Sequence, residues 1–555
     1  MAVTIGRAGE IALVRLDSPP VNALGHALRA GIAAAAAALE ADPAVRAVVL
    51  IGQGRTFPAG ADITEFGRPA EPPSLPEVIA RIEAASKPWV AAIHGTALGG
   101  GLELALGCHY RLAAATAQLG LPEVTLGIVP GAGGTVRLPR LVPAEVAVEM
   151  VTSGRRVGAG EAASLGLLDR VAEEDLEAAA IAFAGGIAGR PLPAPLASRA
   201  PVSRPGPGFW AAEAARLAQG AGAPGHALAC LRRAVETEAA AALAFERQTF
   251  LALRDAAEAR ALRHVFFAER AAAKPPELGG ARPHPLRRVA LAAGAPEEIA
   301  AGLADSRLEA VPAAEADLAI AGDAEPAALQ ALAAALKPDA VLAVAGDPAL
   351  AVPGLADPGR VIGLRFGNPG MRLLEVVQGP ATSPDAAATG IALARAIGRV
   401  PVLTGPGGEG IAHALGAAAA AQIGRLLAGG TPPGALGEAL ARFGFDPAAL
   451  ALPEAAGSGA PRDGDGEIAE RICLALVDAG ARLLEAGIAR RAADIDLAAI
   501  HGCGFPRWRG GPMHRAEARG LDRVAADLAQ LAAGGAMPPP PALIARVAGT
   551  GRFPA

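Results

Sequence analysis

The chain has 555 residues, 52% hydrophobic and 19% charged, so it is long enough for several domains with buried cores. Its formal net charge is -5, from 50 basic and 55 acidic residues without a strongly basic block, which argues against a nucleic-acid-binding protein. The four cysteines are scattered without a C-x-x-C pair, so neither a disulfide framework nor a zinc site is indicated. We therefore expect a metal-free protein from a reducing compartment.

The first predicted elements indicate a protein without a secretion signal. The N-terminus leads directly into a strand-like segment at residues 11–16, with no basic region followed by an apolar one. The Ala-rich run at residues 31–39 is soon followed by charges, which favours a helix of a soluble protein over a membrane span. The last three residues, FPA, are not a Ser-Lys-Leu peroxisomal signal. We expect a cytoplasmic enzyme with no membrane or nucleic-acid partner.

Strands and helices then alternate until a proline-rich boundary. Strand patterns at residues 47–51 and 90–93 are separated by helical stretches, which predicts stacked β-β-α units up to about residue 190. Proline and glycine cluster between residues 191 and 208 and mark a boundary. Beyond it, residues 260–270 have apolar side chains at helical spacing.

Two glutamates lie in glycine-rich frames. Glu103 is within ALGGGLELA at residues 97–105, and Glu123 is within GLPEVTLG at residues 120–127. Paired carboxylates directed at one point can hold and deprotonate a water molecule. The glycine run lets backbone N–H groups approach a substrate at the start of a helix, where unpaired donors and the helix dipole favour a developing oxyanion. Together these features predict a site for enolate chemistry.

Each of these residues also has a structural interpretation. Considered alone, Glu103 is about as well explained by a solvent-facing helix position as by function, and Glu123 is better explained as a first-turn acid that stabilises a helix dipole. The motifs around them decide for function. Asp62 is better explained as a residue that caps its turn than as a reacting group. His109 has no second ligand nearby, so we expect it to be packed or hydrogen-bonded.

Four sequence blocks resemble the crotonase (enoyl-CoA hydratase/isomerase) family. In chain order they are PVNAL at residues 20–24, FPAGADI at 57–63, GGGLE at 99–103, and PE at 122–123 followed by GIVPGAGGT at 127–135. A further block, GCGFPRWRGGPM at residues 502–513, resembles the C-terminal helical domain of the peroxisomal-type multifunctional enzymes of β-oxidation. In that family a hydratase is joined to a 3-hydroxyacyl-CoA dehydrogenase.

The resemblance covers the whole chain and implies an α/β multidomain fold. We expect a crotonase-fold β-β-α spiral at residues 1–190 and a helical linker that completes the hydratase pocket at residues 191–283. A truncated, degenerate Rossmann-like domain should follow at residues 284–403. Residues 404–555 should form the helical region that resembles the C-terminal part of the dehydrogenase.

The resemblance also implies the roles of individual residues. Glu103 and Glu123 would carry out acid/base catalysis, and the N–H groups of Ala61 and Gly100 would form an oxyanion hole that polarises the thioester carbonyl. Both carboxyl groups would bind one water molecule, whose oxygen adds to C3 of a trans-2-enoyl-CoA while a proton reaches C2. The implied substrate-binding positions are Ala59, Gly60, Asp62, Ile63, Gly99, Pro122, Pro130 and Gly131.

The start of the dehydrogenase half departs from the family pattern. A strand followed by G-x-G-x-x-G lets the backbone approach a dinucleotide pyrophosphate at a helix N-terminus. Here the strand at residues 288–291 is followed by AAGAPEE at residues 292–298, which keeps one glycine of three. Pro296 lacks a donor, and Glu297 and Glu298 stand where phosphates would bind. We expect no cofactor: NAD should not bind, and CoA is part of the substrate.

The catalytic positions of the dehydrogenase half are also changed. Arg365 stands where the family has its catalytic histidine, and arginine stays protonated and cannot act as a base. Glu375 persists at a family acid position, but without its histidine partner we interpret it as structural. The expected serine is replaced within AGDP at residues 345–348, and the expected asparagine motif reads TGPGGE at residues 404–409.

Three functional hypotheses remain. The first is an enoyl-CoA hydratase of fatty acid β-oxidation, with Δ3,Δ2-enoyl-CoA isomerase side activity, that carries the degenerate dehydrogenase half as a scaffold. The second is a hydratase whose degenerate half has become a binding module for acyl-CoA or a partner protein. The third, another crotonase-fold chemistry such as hydrolysis or decarboxylation, is disfavoured because both glutamates remain. We expect a monomer, because in the multifunctional relatives the linker helix and C-terminal domains cover the surface that free crotonases use to form trimers.

Overall fold

The computed structural model describes residues 2–217, 222–322, 325–347, 357–446, 448–449 and 465–554. The chain forms two compact units, Met1–Arg260 and Ala261–Ala555. The division falls inside one helix, Ala257–Ala272.

The first unit is built on a six-stranded sheet and a three-stranded sheet. In the larger sheet the first pair of strands is antiparallel and the other neighbours are parallel. Its strands, in spatial order, are Val3–Ala8, Ile11–Leu16, Ala47–Gly52, Trp89–Ile93, Tyr110–Ala114 and Arg170–Ala172. The smaller sheet consists of Thr96–Leu98, Gln118–Gly120 and Arg156–Gly158. These strands and the intervening helices confirm the predicted β-β-α pattern.

Helices cover both faces of the larger sheet, which explains why its central strands are continuously apolar rather than alternating. The α-helices of this unit are His26–Ala41, Leu75–Glu83, Gly100–Gly107, Gly134–Arg137, Ala144–Ser153, Ala159–Ser164, Leu176–Ile187, Pro207–Leu217, Ala223–Glu236 and Ala239–Arg254. Short 3-10 helices lie at Ile63–Glu65, Glu123–Leu126, Leu138–Arg140 and Leu196–Ser198.

The smaller sheet positions the two motif glutamates. Thr96–Leu98 and Gln118–Gly120 are parallel neighbours, with Leu98 opposite Gly120. The first strand leads through Gly99 into the helix that carries Glu103, and the second leads into the 3-10 helix that begins at Glu123. Because parallel strands end at the same edge of a sheet, both carboxyl groups emerge at one place.

The second unit contains a seven-stranded sheet. Neighbouring strands are parallel except for one antiparallel pair, Val361–Phe366 with Leu373–Val377. The spatial order is Glu309–Ala310, Arg288–Leu291, Leu318–Ala321, Val341–Ala345, Val361–Phe366, Leu373–Val377 and Val400–Thr404. The edge strand, Glu309–Ala310, has only two residues, as expected for a truncated Rossmann-like domain.

Helices follow and flank this sheet. They are Ala257–Ala272, Glu297–Ala304, Pro326–Ala335, Pro384–Ala396, Ile411–Ala428, Pro433–Phe443, Asp465–Glu485, Ala492–Cys503, Pro512–Arg519, Leu521–Ala533 and Ala542–Ala548. Among the described residues, only Ile411–Ala428 is long and apolar enough to cross a membrane by length and composition, with a mean hydropathy of 1.3. Because its buried side chains pack in the helical core of this unit, this property is weak support for a membrane span.

The predicted linker, residues 191–283, is divided between the two units. Helices Ala223–Glu236 and Ala239–Arg254 belong to the first unit. Within Ala257–Ala272, by contrast, Val265, Ala268 and Ala272 lie in the helical core of the second unit. The linker boundary at residue 283 remains a prediction.

Candidate active site

Glu103 is buried and held by backbone donors. It lies on the helix Gly100–Gly107, every residue of which is buried, and its own exposed fraction is 3%. Its Oε1 accepts hydrogen bonds from the N–H groups of Ala132 and Gly134, at 2.7 and 2.8 Å. Burial raises the pKa of this carboxyl above its ordinary value, and the two hydrogen bonds oppose that rise because they stabilise the ionised form.

Glu123 has a different environment. It is also buried, and its Oε2 has no hydrogen-bond partner among the described residues. Burial, and next the charge of Glu103, raise the pKa of Glu123 well above its ordinary value. Its Oε1 lies 3.0 Å from the position that a Cβ on Gly99 would occupy, so the glycine leaves room for the carboxyl group.

The two carboxyl groups are therefore suited to opposite roles. Burial raises the pKa of both carboxyl groups, but Glu103 accepts two backbone hydrogen bonds, which favour its ionised form. Glu123 has a raised pKa and one oxygen without a partner, which favours the protonated acid. Neighbouring titratable groups whose surroundings differ in this way are typical of an acid/base pair.

The predicted oxyanion donors lie beside each other. Gly100 is the first residue of its helix, so its N–H is one of the donors that a helix leaves without an internal partner. A Cβ on Gly100 would lie 3.3 Å from the N atom of Ala61 and 2.9 Å from Cδ2 of Leu75. A Cβ on the next residue, Gly101, would overlap the carbonyl oxygen of Pro58. The glycine run thus brings the helix start against residues 58–61.

The remaining residues of the first motif shape this loop. Asp62 caps the 3-10 helix Ile63–Glu65 and accepts a hydrogen bond from the N–H of Thr64 at 3.0 Å, as the sequence analysis expected for a turn residue. The Gly60 carbonyl accepts from the N–H of Leu24, and the Ala59 N–H donates to the Val21 carbonyl. These bonds connect the loop to the PVNAL block.

The other predicted substrate-binding positions flank the two glutamates. Gly99 has a positive φ of 53°, and its N–H donates to Gly120 at 2.9 Å, which aligns the two strand ends. Pro122 directly precedes Glu123. Pro130 and Gly131 begin the loop that holds Glu103, and a Cβ on Gly131 would overlap the ring of Phe250. The structure therefore brings the predicted residues together around one edge of the small sheet.

A third buried glutamate, Glu246, was missed by the sequence analysis. It lies on the helix Ala239–Arg254 with an exposed fraction of 1%. Its Oε1 accepts from the Gly133 N–H at 2.6 Å, and its Oε2 accepts from the N–H and hydroxyl of Thr135 at 2.8 and 2.6 Å. Burial, and then the charge of Glu103, raise the pKa of Glu246 to about 8.

The other chemically reactive side chains of this unit have structural surroundings. His109 is buried, and its Nδ1 accepts from the Trp89 N–H at 3.1 Å, so it is hydrogen-bonded as expected; burial lowers its pKa. Burial likewise raises the pKa of the Cys108 and Cys230 thiols to about 12. The described residues contain no group of three or more His, Cys, Asp or Glu side chains that could hold a metal ion.

In the second unit, the turn after Arg288–Leu291 does not fit a dinucleotide. Pro296 occupies the N-cap of the following helix, which places Glu297 and Glu298 in its first turn, where negative charge would oppose a phosphate. The backbone of Gly294 packs against Gly322, where a Cβ would overlap the Gly294 carbonyl oxygen. The turn thus packs against the end of a neighbouring strand and presents acids where the fold normally binds a pyrophosphate.

Arg365 and Glu375 are buried and form hydrogen bonds with the backbone of neighbouring segments. Arg365 Nη2 donates to the Gly408 carbonyl at 2.9 Å and lies 3.6 Å from the carboxylate of Asp347, which in turn accepts from the Gly407 N–H. Both oxygens of Glu375 accept from the first N–H groups of the helix Ile411–Ala428. The last residue of the predicted AGDP segment, position 348, lies outside the described residues.

Known proteins match both halves of the chain. Residues 6–195 match the enoyl-CoA hydratase/isomerase family, and residues 324–406 match the NAD-binding domain of 3-hydroxyacyl-CoA dehydrogenase. The peroxisomal bifunctional enzyme of Danio rerio is 32% identical over 665 aligned positions, which cover 93% of this chain and 92% of that protein. The chain belongs to this family of multifunctional enzymes. Since the aligned positions outnumber the 555 residues of this chain, the relative contains segments that this chain lacks.

Two further relatives match parts of the chain. The human peroxisomal bifunctional enzyme is 42% identical over 270 residues, covering 48% of this chain and 37% of that protein. A probable enoyl-CoA hydratase of Bacillus subtilis is 44% identical over 174 residues, covering 30% of this chain and 67% of that protein. The dehydrogenase match begins at residue 324, beyond the strands Arg288–Leu291 and Leu318–Ala321, so the altered turn lies outside it.

Proposed function

We propose that this protein is an enoyl-CoA hydratase that adds water to a trans-2-enoyl-CoA to give a 3-hydroxyacyl-CoA. The observation that carries the proposal is the convergence of Glu103 and Glu123 at the ends of two neighbouring strands. Gly100, at the start of the helix that carries Glu103, lies close to the Ala61 N atom. Membership of the multifunctional β-oxidation family supports the same substrate class.

The proposed reaction uses the two acids in opposite senses. Glu103 takes a proton from the bound water as its oxygen adds to C3, and Glu123 donates its proton to C2. The enolate oxygen that forms in between accepts hydrogen bonds from the Ala61 and Gly100 N–H groups, each worth on the order of a few kcal/mol in such a site. The cycle closes when the proton on Glu103 returns to Glu123.

The test is direct. Purified protein should consume crotonyl-CoA without added NAD, seen as loss of the enoyl-thioester absorbance, and yield 3-hydroxybutyryl-CoA. Absence of turnover on enoyl-CoA substrates of short, medium and long chains would overturn the proposal.

The same acid pair can remove and return protons on one substrate, because Glu123 keeps an oxygen without a partner. We therefore include Δ3,Δ2-enoyl-CoA isomerisation as a side activity, tested with a 3-enoyl-CoA.

The proposal includes loss of the dehydrogenase activity and of NAD binding. Support comes from the turn that keeps only one glycine, Gly294, from the acids at Glu297 and Glu298, and from Arg365 at the place of the catalytic histidine. These changes affect cofactor binding and catalysis separately. Loss of NAD binding or loss of the catalytic base would each be enough to abolish the dehydrogenase activity.

The degenerate half is either a scaffold or a binding module. Counting acyl-CoA sites on the full chain distinguishes a scaffold from an acyl-CoA-binding module: calorimetric titration of an inactive Glu103→Gln variant should give one site per chain for a scaffold and two for an acyl-CoA-binding module. A pull-down with the full chain tests the partner-protein module. We propose the scaffold, because Arg365, Asp347 and Glu375 are engaged with the protein's own backbone. Cytoplasmic location stays a prediction, because several relatives are named as peroxisomal or glyoxysomal enzymes. The monomeric state also stays a prediction.

A further inference from the structure

We propose that Glu246 is a positioning residue of the hydratase site, which holds the loop 132–135 so that its N–H groups orient the Glu103 carboxylate. This inference rests on the proposed hydratase function for its kinetic consequences. Its structural basis is a set of hydrogen bonds within the first unit, which can be tested without measuring the reaction.

The loop distributes its donors alternately between two acids. The N–H groups of Ala132 and Gly134 point to Glu103, and those of Gly133 and Thr135 point to Glu246. Successive N–H groups of one short segment cannot be re-aimed separately, because each peptide plane shares its Cα atoms with the next. A change in the bonds to Glu246 therefore changes the direction of the bonds to Glu103.

The loop conformation leaves little alternative. Gly133 has a positive φ of 99°, and a Cβ there would overlap the guanidinium of Arg137. Arg137 itself donates to the Ala132 carbonyl at 2.9 Å and forms an ion pair with Glu83. Hydrogen bonds to Arg137 on one side and to Glu246 on the other thus hold the loop, and both side chains are buried.

If Glu246 served only to accept hydrogen bonds from the loop, an uncharged acceptor would suffice. Instead the chain places a second carboxyl group close enough to Glu103 for the two to affect each other's ionisation, which is unfavourable for a fold unless the acid has a use. The charge of Glu246 also acts on Glu123. The titratable groups that interact with Glu246 are Glu103, Glu123, Arg247 and Cys230. Beyond them, Arg137 interacts with Glu103, and Glu77 and Arg254 interact with Arg247.

The experiment compares four single variants of the full chain. Glu246→Gln keeps the shape but replaces one acceptor with a donor. Thr135→Val removes the hydroxyl that donates to Glu246, whereas Thr135→Ser retains it. Glu238→Gln changes an exposed glutamate at the N-cap of the same helix and is the matched control.

The first readout does not depend on catalysis. Hydrogen exchange of the Ala132 and Gly134 amides, which Glu246 does not contact, should be at least about ten times faster in Glu246→Gln, because loss of the neighbouring bonds frees the shared peptide planes. Exchange should rise less in Thr135→Val and stay unchanged in Thr135→Ser and Glu238→Gln. Unchanged exchange in Glu246→Gln would overturn the inference.

The second readout separates positioning from simple stability. Glu246→Gln should lower kcat for crotonyl-CoA hydration by about 10- to 100-fold, as expected for a small misplacement of a catalytic group, with KM within about 2-fold. The pH profile should also lose the change near pH 8 that ionisation of Glu246 produces in the wild type, because glutamine does not titrate.

The outcomes distinguish the two proposals. If the wild type shows no hydration but Glu246→Gln accelerates exchange at Ala132 and Gly134, the proposed function fails and the positioning role stands. If the wild type is active and Glu246→Gln matches it in kcat and pH profile, the positioning role fails. Should Glu246→Gln not fold, the Thr135→Val and Thr135→Ser pair decides by the same measurements.

Discussion

Arg365 and Glu375 stand opposite each other on two antiparallel strands, and Glu375 caps the helix Ile411–Ala428 with both of its oxygens. Glu375, which stands at an acid position of the dehydrogenase family, therefore caps a helix N-terminus here. Burial raises the pKa of Glu375 above its ordinary value, and the hydrogen bonds from the Ala412 and Ile411 N–H groups, followed by the charge of Arg365, oppose that rise.

This arrangement makes a prediction about stability. Glu375→Ala should leave the Ile411 and Ala412 N–H groups without their acceptor and should destabilise the protein by roughly 3 kcal/mol, the cost expected for buried unsatisfied groups. Urea unfolding of the full chain measures the change. Hydration of crotonyl-CoA by the folded protein should be unaffected. Glu409→Ala, at an exposed position near the same helix start, is the control and should change stability little.

The acid pair makes the most direct prediction about catalysis. Glu103→Gln and Glu123→Gln should each lower kcat by at least about 10²-fold, because general acid and base groups act in the transition state, while KM changes little. Steady-state kinetics with crotonyl-CoA checks this. The exposed Glu173 supplies a control, since Glu173→Gln should behave like the parent. Near-normal turnover by either active-site variant would show that the site is wrongly assigned.

The glycine run makes a graded prediction. In Gly100→Val the new side chain would crowd the Ala61 N atom and Leu75, so the thioester carbonyl should lose access to its donors and kcat should fall by about 10²-fold or more. In Gly101→Ala the new Cβ would overlap a backbone carbonyl of Pro58, which cannot move as a side chain can, so thermal stability should fall as well. Equal melting temperatures and equal turnover for both variants and the parent would contradict this account.

The second unit should neither bind NAD nor reduce it. We expect no binding by calorimetry at millimolar NAD and no NADH from 3-hydroxybutyryl-CoA. Arg365→His should not restore activity, because the turn at Gly294 and Pro296 would still exclude the cofactor. Addition of a separate 3-hydroxyacyl-CoA dehydrogenase provides the positive control, since NADH should then form from crotonyl-CoA. A measurable rate without that enzyme would mean that the second half is catalytically intact.

Glu246 also predicts how stability depends on pH. Its pKa is about 8 in the folded protein against an ordinary value of 4.5, so the folded state binds more protons than the unfolded state between these values. The contribution of this group to the free energy of unfolding is therefore full below about pH 4.5 and is lost as pH rises toward about 8. Glu246→Gln does not titrate, so its melting temperature relative to the wild type should rise over this range. A constant difference between the two proteins would contradict the raised pKa.

Much of the fold followed from local patterns. The strand expected at residues 288–291 is observed as Arg288–Leu291, and the one expected at residues 11–16 as Ile11–Leu16. Glu103 and Glu123 could be found because each lies in a glycine-rich motif whose spacing reflects a local turn into a helix. Asp62 was correctly interpreted as a cap, because the side chain of such a residue bonds to the backbone two residues later.

Glu246 could not be found in the same way, because its contacts lie far away in sequence. Its bond to the Gly133 N–H joins residues separated by 113 positions, and no short motif encodes such a contact. One signal was present: Ala242 and Phe250 lie one helical turn before and after it, so the acid falls on the apolar stripe of its helix. A charge in that stripe indicates a buried partner.

The position of Glu246 changes where the hydratase ends. The family match stops at residue 195, yet the acceptor for the Gly133 and Thr135 N–H groups comes from the helix Ala239–Arg254. A chain truncated at residue 195 would keep both motif glutamates but would lose this acceptor, together with Ala234 and Ala242, which pack on Val136. The shortest fragment that would keep the loop 132–135 with its buried acceptor therefore runs to about residue 260, where the first compact unit ends.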